Sequence, residues 1–138
     1  MKRPVNFITA LSLILSSLFL CGCEPPKREP GPVELRSMQS RVFDTTDKIK
    51  TLRTAMATLQ DLGFVIDEAD DVLGSVSATK LDRYAVRITI TVAPRGVTQM
   101  GVRANAQYKL KAIEDPEPYQ QFFAAFEKAM FLTTHNIE

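Results

Sequence analysis

Two stretches of strict alternation dominate the second half of the chain. In Tyr84 to Val92 the residues Tyr84, Val86, Ile88, Ile90 and Val92 alternate with Ala85, Arg87, Thr89 and Thr91. Successive strand side chains point to opposite faces, so this pattern predicts a strand that is dry on one side and wet on the other. Pro94-Arg95-Gly96 is read as the turn. The return strand sets Met100, Val102, Ala104, Ala106, Tyr108 and Leu110 on the dry face and Gln99, Arg103, Asn105, Gln107 and Lys109 on the wet one.

Helical spacing appears twice. Asp44-Thr45-Thr46-Asp47 supplies side-chain oxygens for a helix start. Ile49, Leu52, Met56, Leu59 and Leu62 then recur at steps of three and four, opposite Lys50, Arg53, Ala57 and Asp61, and Gly63 is placed to stop the helix. After Asp115-Pro116-Glu117-Pro118 a second helix carries Tyr119, Phe122, Phe123, Phe126 and Met130 on one side. Weaker patterns predict strands over Arg36 to Phe43, Phe64 to Asp67 and Leu73 to Lys80, the last at a sheet edge, with Glu68 to Asp71 as a polar turn.

The predicted order is β-α-β-β-β-β-α, an α+β fold with a mostly antiparallel sheet and both helices on its dry face. This order resembles the TATA-box-binding-protein-like, or helix-grip-like, architecture, which also occurs in a lipoprotein of the bacterial outer-membrane barrel assembly machine. Leu59-Gln60-Asp61-Leu62-Gly63-Phe64, Leu73-Gly74 and Ala78-Thr79-Lys80 also resemble a group of small uncharacterised bacterial lipoproteins. Those motifs are a helix end and a hairpin, so they imply a fold and transfer no functional residue.

The first residues have a different character. Phe7 to Leu20 is apolar, follows Met1-Lys2-Arg3 and leads into Leu20-Cys21-Gly22-Cys23. The run is short for a bilayer span and has the basic flank of a secretory signal. Its end resembles the cleavage and lipidation box of bacterial lipoproteins. That resemblance implies removal of residues 1–22, a diacylglycerol on the Cys23 sulfur and a further acyl chain on the new amino terminus. Cys21 is a rival site, but Leu20 precedes it where the box has a small residue. Glu24, in place of an Asp, implies sorting to the outer membrane, facing the periplasm. Residues 23–32 continue as EPPKREPGP behind the cysteine, a Pro-rich tether of about 25 to 30 Å if extended. Residues 33–138 are expected to form one domain.

Charge and cysteine content agree with an exported chain. The 138 residues hold 17 basic and 16 acidic side chains; loss of Lys2 and Arg3 with the signal leaves the remainder close to neutral. Such a balance lacks the basic stripe that nonspecific nucleic-acid binding needs. Both cysteines belong to the signal and the lipidation box, so no thiol is left for a disulfide, a metal cluster or a nucleophile.

Candidate chemistry is sparse. His135 is the single histidine and has no second His or Cys with which to ligate a transition metal. Asp67, Glu68, Asp70 and Asp71 crowd one turn without the spacing of a calcium loop. Ser75 and Ser77 sit in a strand pattern outside any nucleophile elbow. No catalytic residue, metal or cofactor is assigned, beyond the acyl groups on Cys23.

Two surfaces remain. A three-residue turn at Pro94-Arg95-Gly96 would place Arg87 directly opposite Arg103, and like charges so paired call for an anion. Arg87 and Arg103, with Lys109 further along, are therefore the candidate anion or partner face. Phe131 and Leu132, with Ala124 and Ala125, project from the outer side of the last helix and are the candidate apolar contact. These features lead to a noncatalytic, lipid-anchored periplasmic interaction or scaffold module of an envelope assembly, with an envelope protein as partner. The alternative is a carrier of an apolar or anionic small molecule such as a lipid, held among Phe122, Phe123, Phe126, Met56 and Met100.

Overall fold

The computed structural model describes residues 31–81 and 84–135. The expected signal segment 1–22, Cys23 and the tether through residue 30 lie outside the described residues. The elements are α1 (Pro32–Met38), β1 (Ser40–Phe43), α2 (Lys48–Asp61), β2 (Val65–Asp70), β3 (Ser75–Leu81), β4 (Ala85–Arg95), β5 (Gln99–Tyr108), β6 (Lys111–Ala112) and α3 (Glu117–Thr134). All six strands join one antiparallel sheet in the order β1-β5-β4-β3-β2, with β6 also paired to β5. The fold is α+β.

The core is the dry face foreseen from alternation. Val76 and Ala78 of β3, Ile88, Ile90 and Val92 of β4, and Met100, Val102, Ala104 and Ala106 of β5 are buried beneath the two long helices. The helices divide the work by size. On α3, Tyr119, Phe122, Phe123, Phe126 and Met130 are buried, each large apolar side chain contributing about 1.5 to 3 kcal/mol. On α2 the buried face is small, with Thr51, Thr54, Ala55 and Thr58 beside Leu52 and Leu59. The three threonine hydroxyls donate to the carbonyls four residues back, Asp47, Lys50 and Thr54, at 2.7 to 2.9 Å. Their polar atoms are thereby satisfied inside the helix, and only methyl groups face the core.

That arrangement corrects the expected stripe of α2. Ile49 is 39% exposed, whereas Leu52 and Leu59 are buried, Met56 and Leu62 pack partly buried against the core, and Thr51, Thr54, Ala55 and Thr58 widen the buried face. The ends of α2 agree with expectation. Asp47 accepts from the Lys50 N–H at 2.8 Å, and Gly63, at φ 82°, ends the helix in a conformation that suits glycine.

The predicted strand over Arg36 to Phe43 is half helix. Pro32 pre-sets the first helical turn, Glu34 follows in it, and the Leu35 N–H donates to the Gly31 carbonyl at 2.9 Å. Leu35 packs against the core, so the strand starts only at Ser40. Strand β2 likewise runs to Asp70, and the turn is Asp71 to Gly74. Asp67, Glu68 and Asp70 thus belong to a strand and do not share a hairpin tip with Asp71. Strand β3, expected at an edge, lies between β2 and β4. Its alternate apolar residues are small, which weakens the sequence signal without lessening the pairing. The edge is β2, where a register shift between Ile66 and Glu68 and three carboxylates discourage further strand addition.

The other margin of the sheet is closed by two short strands in line. Strand β1 pairs with β5 from Met100 to Arg103, and β6 pairs with Gln107 and Tyr108. Between them, Ala104 N–H donates to the Gln39 carbonyl at 2.8 Å and Ile113 N–H to the Ala106 carbonyl at 2.8 Å. The β5–β6 reversal occurs at Lys109, φ 56°, and Leu110, which is 96% exposed. Leu110 therefore leaves the dry face to which alternation assigned it. Tyr84, at the opposite end of that face, is also mostly exposed.

Candidate functional site

The face of the sheet away from α2 and α3 is mostly polar. Its levels follow from the pairing. Ser40, Arg103, Thr91, Ser75 and Asp70 lie in one row across β1, β5, β4, β3 and β2, and Asn105, Thr89, Ser77 and Glu68 form the next. The middle of each row is a pair of short hydroxyl residues; Ser77 and Thr89 hydroxyls are 3.2 Å apart. In these two rows the acids stand on β2 and the long cationic or amide side chains on β5.

The register overturns the expected apposition of the two arginines. The loop is Gly96-Val97-Thr98, so Arg95 pairs with Gln99, Arg87 with Gln107 and Arg103 with Thr91. Gly96 does take a positive φ, 69°, but as the first loop residue. Pro94 is accommodated inside β4 because Val92 directs its N–H toward Gly74 on the β3 side, at 2.7 Å. The nitrogen of Pro94, two residues on, points the same way past the end of β3, where no hydrogen bond is required of it.

Arg87 and Arg103 consequently stand four residues apart along the sheet, about 13 Å at ~3.3 Å per residue. Arg87 is answered from within the chain: its Nε lies 3.5 Å from the Asp67 carboxylate, which also accepts from the Thr79 hydroxyl at 2.7 Å. Lys109 sits in the β5–β6 turn with its ammonium 5.4 Å from the Tyr108 ring centre. The three expected cations do not form one patch.

Arg103 has other company. A depression of about 380 Å³ is lined by Arg95, Arg103, Thr91, Asn105, Ala93 and Gly101, among others. Its floor is low because Gly101 and its partner Ala93 carry almost no side chain, while Arg95 and Arg103 rise at its sides. Among the described residues neither arginine has a carboxylate within 4.0 Å. Guanidinium groups on the rim of an open hollow, with Ser40, Thr91 and Asn105 beside the apolar Val42, suit a carboxylate or phosphate. Arg95 escapes a reading of the sequence that assigns it to the turn, and Gly101 offers no charge to draw notice. A glycine at a wet-face strand position is the available signal.

The second expected surface is present in part. Helix α3 continues past Met130 to Thr134, leaving Phe131 58% exposed and Leu132 half-buried. The Phe131 ring lies 4.2 Å, centre to centre, from that of His135. Both line a groove of about 510 Å³ with Phe43, Asp44, Thr45 and Glu127.

No family model and no curated protein matches this sequence. Among the described residues, no three His, Cys, Asp or Glu side chains gather as metal ligands, and no helix is long and apolar enough to cross a membrane. Ser75 and Ser77 lie on the polar face among threonines, and the His135 ring bonds back to the Phe131 carbonyl at 2.9 Å.

Proposed function

We propose that this chain is a noncatalytic interaction module, held at the bacterial envelope by lipid on Cys23, that receives an acidic group of a partner in the hollow floored by Gly101. The observation that carries this reading is the pair Arg95 and Arg103, unanswered by acids among the described residues and set around a floor of Gly101 and Ala93. The hollow is open and backed by the paired strands β4 and β5, which suits docking of a protein or polymer surface. In the expected envelope setting, the anchor and tether keep the domain near the membrane while leaving this face accessible.

The carrier reading has less support. Phe122 lies 5.2 Å from Phe123 and 5.4 Å from Phe126, ring centre to ring centre, and Phe43 packs edge-on to Phe126 at 5.0 Å. These rings occupy the volume an apolar guest would need.

The test is a photo-crosslinking residue at Asn105 in the full chain in intact cells, with and without Gly101→Val. A discrete adduct that disappears when the hollow is filled supports the reading. Adduct formation indifferent to Gly101→Val, Arg95→Gln and Arg103→Gln would refute it.

A further inference from the structure

The polar face is complementary to itself. In the two rows of Arg103 and Asn105 a cationic and an amide side chain project from β5, the acids Asp70 and Glu68 from β2, and the two strands between carry short hydroxyls, while Arg87 and Arg95 stand on β4 outside these rows. A twofold axis parallel to the strands, running between β3 and β4 above this face, lays β5 of one copy over β2 of the other. Because Arg103 and Asp70 share a row, that operation sets Arg103 over the partner copy's Asp70 and, by symmetry, Asp70 under the partner copy's Arg103. The next row brings Asn105 over Glu68 in the same reciprocal manner. Thr91 and Thr89 meet Ser75 and Ser77 along the axis, where their small size permits two sheets to approach within about 10 Å. Arg95, beyond the last β3 pair, meets the β2–β3 turn that carries Asp71.

We infer that the partner of this face is a second copy of the chain, packed sheet to sheet about that axis. The inference rests on the reading of the Arg103 hollow as a receiver of acidic groups, and it supplies the acids. Charge complementarity selects this occupant: a slide of one strand, or rotation by half a turn in the sheet plane, puts Arg103 over hydroxyls or over the other arginine. Asp67 takes no part, being engaged by Arg87 and Thr79. Overlap of the strands from β5 to β2, at about 4.8 Å spacing and some seven residues of height, gives roughly 400 to 500 Å² per copy, at the low end for a specific pair. The association is accordingly weak and weakened by salt, and anchoring two copies on one membrane raises their effective concentration.

Sedimentation equilibrium of the full chain in density-matched mild detergent tests this. A monomer–dimer equilibrium is expected, with the dissociation constant rising about tenfold or more in high salt or on Arg103→Asp. Combining Arg103→Asp with Asp70→Arg should restore pairing. Asp70 also accepts from the Leu73 N–H at 2.8 Å, so a second exchange guards against misfolding: Asn105→Asp should weaken pairing, and Glu68→Lys added to it should recover it. A monomer at all concentrations in low salt, or a dimer indifferent to both exchanges, would overturn the inference. A monomer that still gives the Asn105 crosslink to a different protein would leave the docking function standing; loss of every Asn105 adduct would remove both.

Discussion

The hydroxyl of Tyr119 donates to the carbonyl of Ile113 at 2.6 Å, tying the first turn of α3 to the segment that follows β6. The same oxygen lies 3.3 Å from both the Ala106 N–H and the Gln39 side-chain amide. It therefore sits in the gap between β1 and β6, where β5 has no continuous neighbour, and answers the polar groups exposed there. A fully buried tyrosine in an otherwise Phe-rich stripe is explained by this gap.

Tyr119→Phe keeps the ring and removes the bridge. Two buried polar groups and one part-buried carbonyl lose a partner together, and the expected cost is about 2 to 3 kcal/mol. Urea unfolding should show a lower midpoint with an unchanged slope. A midpoint equal to that of the parent chain would mean the hydroxyl contributes nothing to closing the sheet.

Gly74 has a comparable role at the other end of the sheet. It holds φ at 72°, and a Cβ there would lie 2.4 Å from the Val92 carbonyl oxygen and 2.5 Å from the Lys48 side chain. The lysine can move; the strand carbonyl cannot without disturbing β4. Gly74→Ala should destabilise by about 2 kcal/mol or more, read as a fall in thermal midpoint. Gly96→Ala, where the added atom meets open space, should cost about 1 kcal/mol from its backbone conformation alone.

Arg87 and Arg103, on the same wet face, should behave differently. Arg87→Gln removes an exposed ion pair with Asp67, worth at most about 1 kcal/mol, and should leave crosslinking from Asn105 unchanged. Arg103→Gln should leave stability within about 0.5 kcal/mol of the parent and sharply reduce that crosslinking. Equal losses from both variants would restore a single continuous cationic patch.

Phe131 is offered to solvent by a helix that does not end beneath it. Phe131→Ser should change the unfolding free energy by less than about 1 kcal/mol, in contrast to Phe126→Ser, whose buried ring should cost about 3 kcal/mol or more. Urea titration of the two variants checks the contrast. A large loss from Phe131→Ser would show that its ring supports the end of α3 and is not a free contact surface.

The arginines also show where reading residues in order stops being sufficient. Alternation in Tyr84 to Val92 identifies which side of β4 is dry, because side-chain direction along a strand is a local property of the backbone. It does not establish what stands opposite Arg87. That depends on which three residues form the loop, and moving the loop from Pro94 to Gly96 shifts the pairing by four residues while leaving every side chain on its original face. Hydrophobic pattern is blind to an even shift of register, so the expected charge pair is absent although the strands are correctly assigned.

Short-range periodicity and backbone chemistry suffice for the α+β class, the dry and wet faces of the two long strands, the cap at Asp47, the stop at Gly63 and the Phe-rich stripe of the last helix. Each of these is legible in the order of residues because it depends on near neighbours alone. Assembly of the sheet and helices was needed before α2 could bury threonines in preference to Ile49 and before Tyr119 could fill the gap between β1 and β6. It also brought Arg95, Arg103 and Gly101 to one hollow while Arg87 turned to Asp67. Those outcomes depend on contacts between residues distant in sequence, whose side chains compete for the same space and the same hydrogen-bond partners once the sheet is formed.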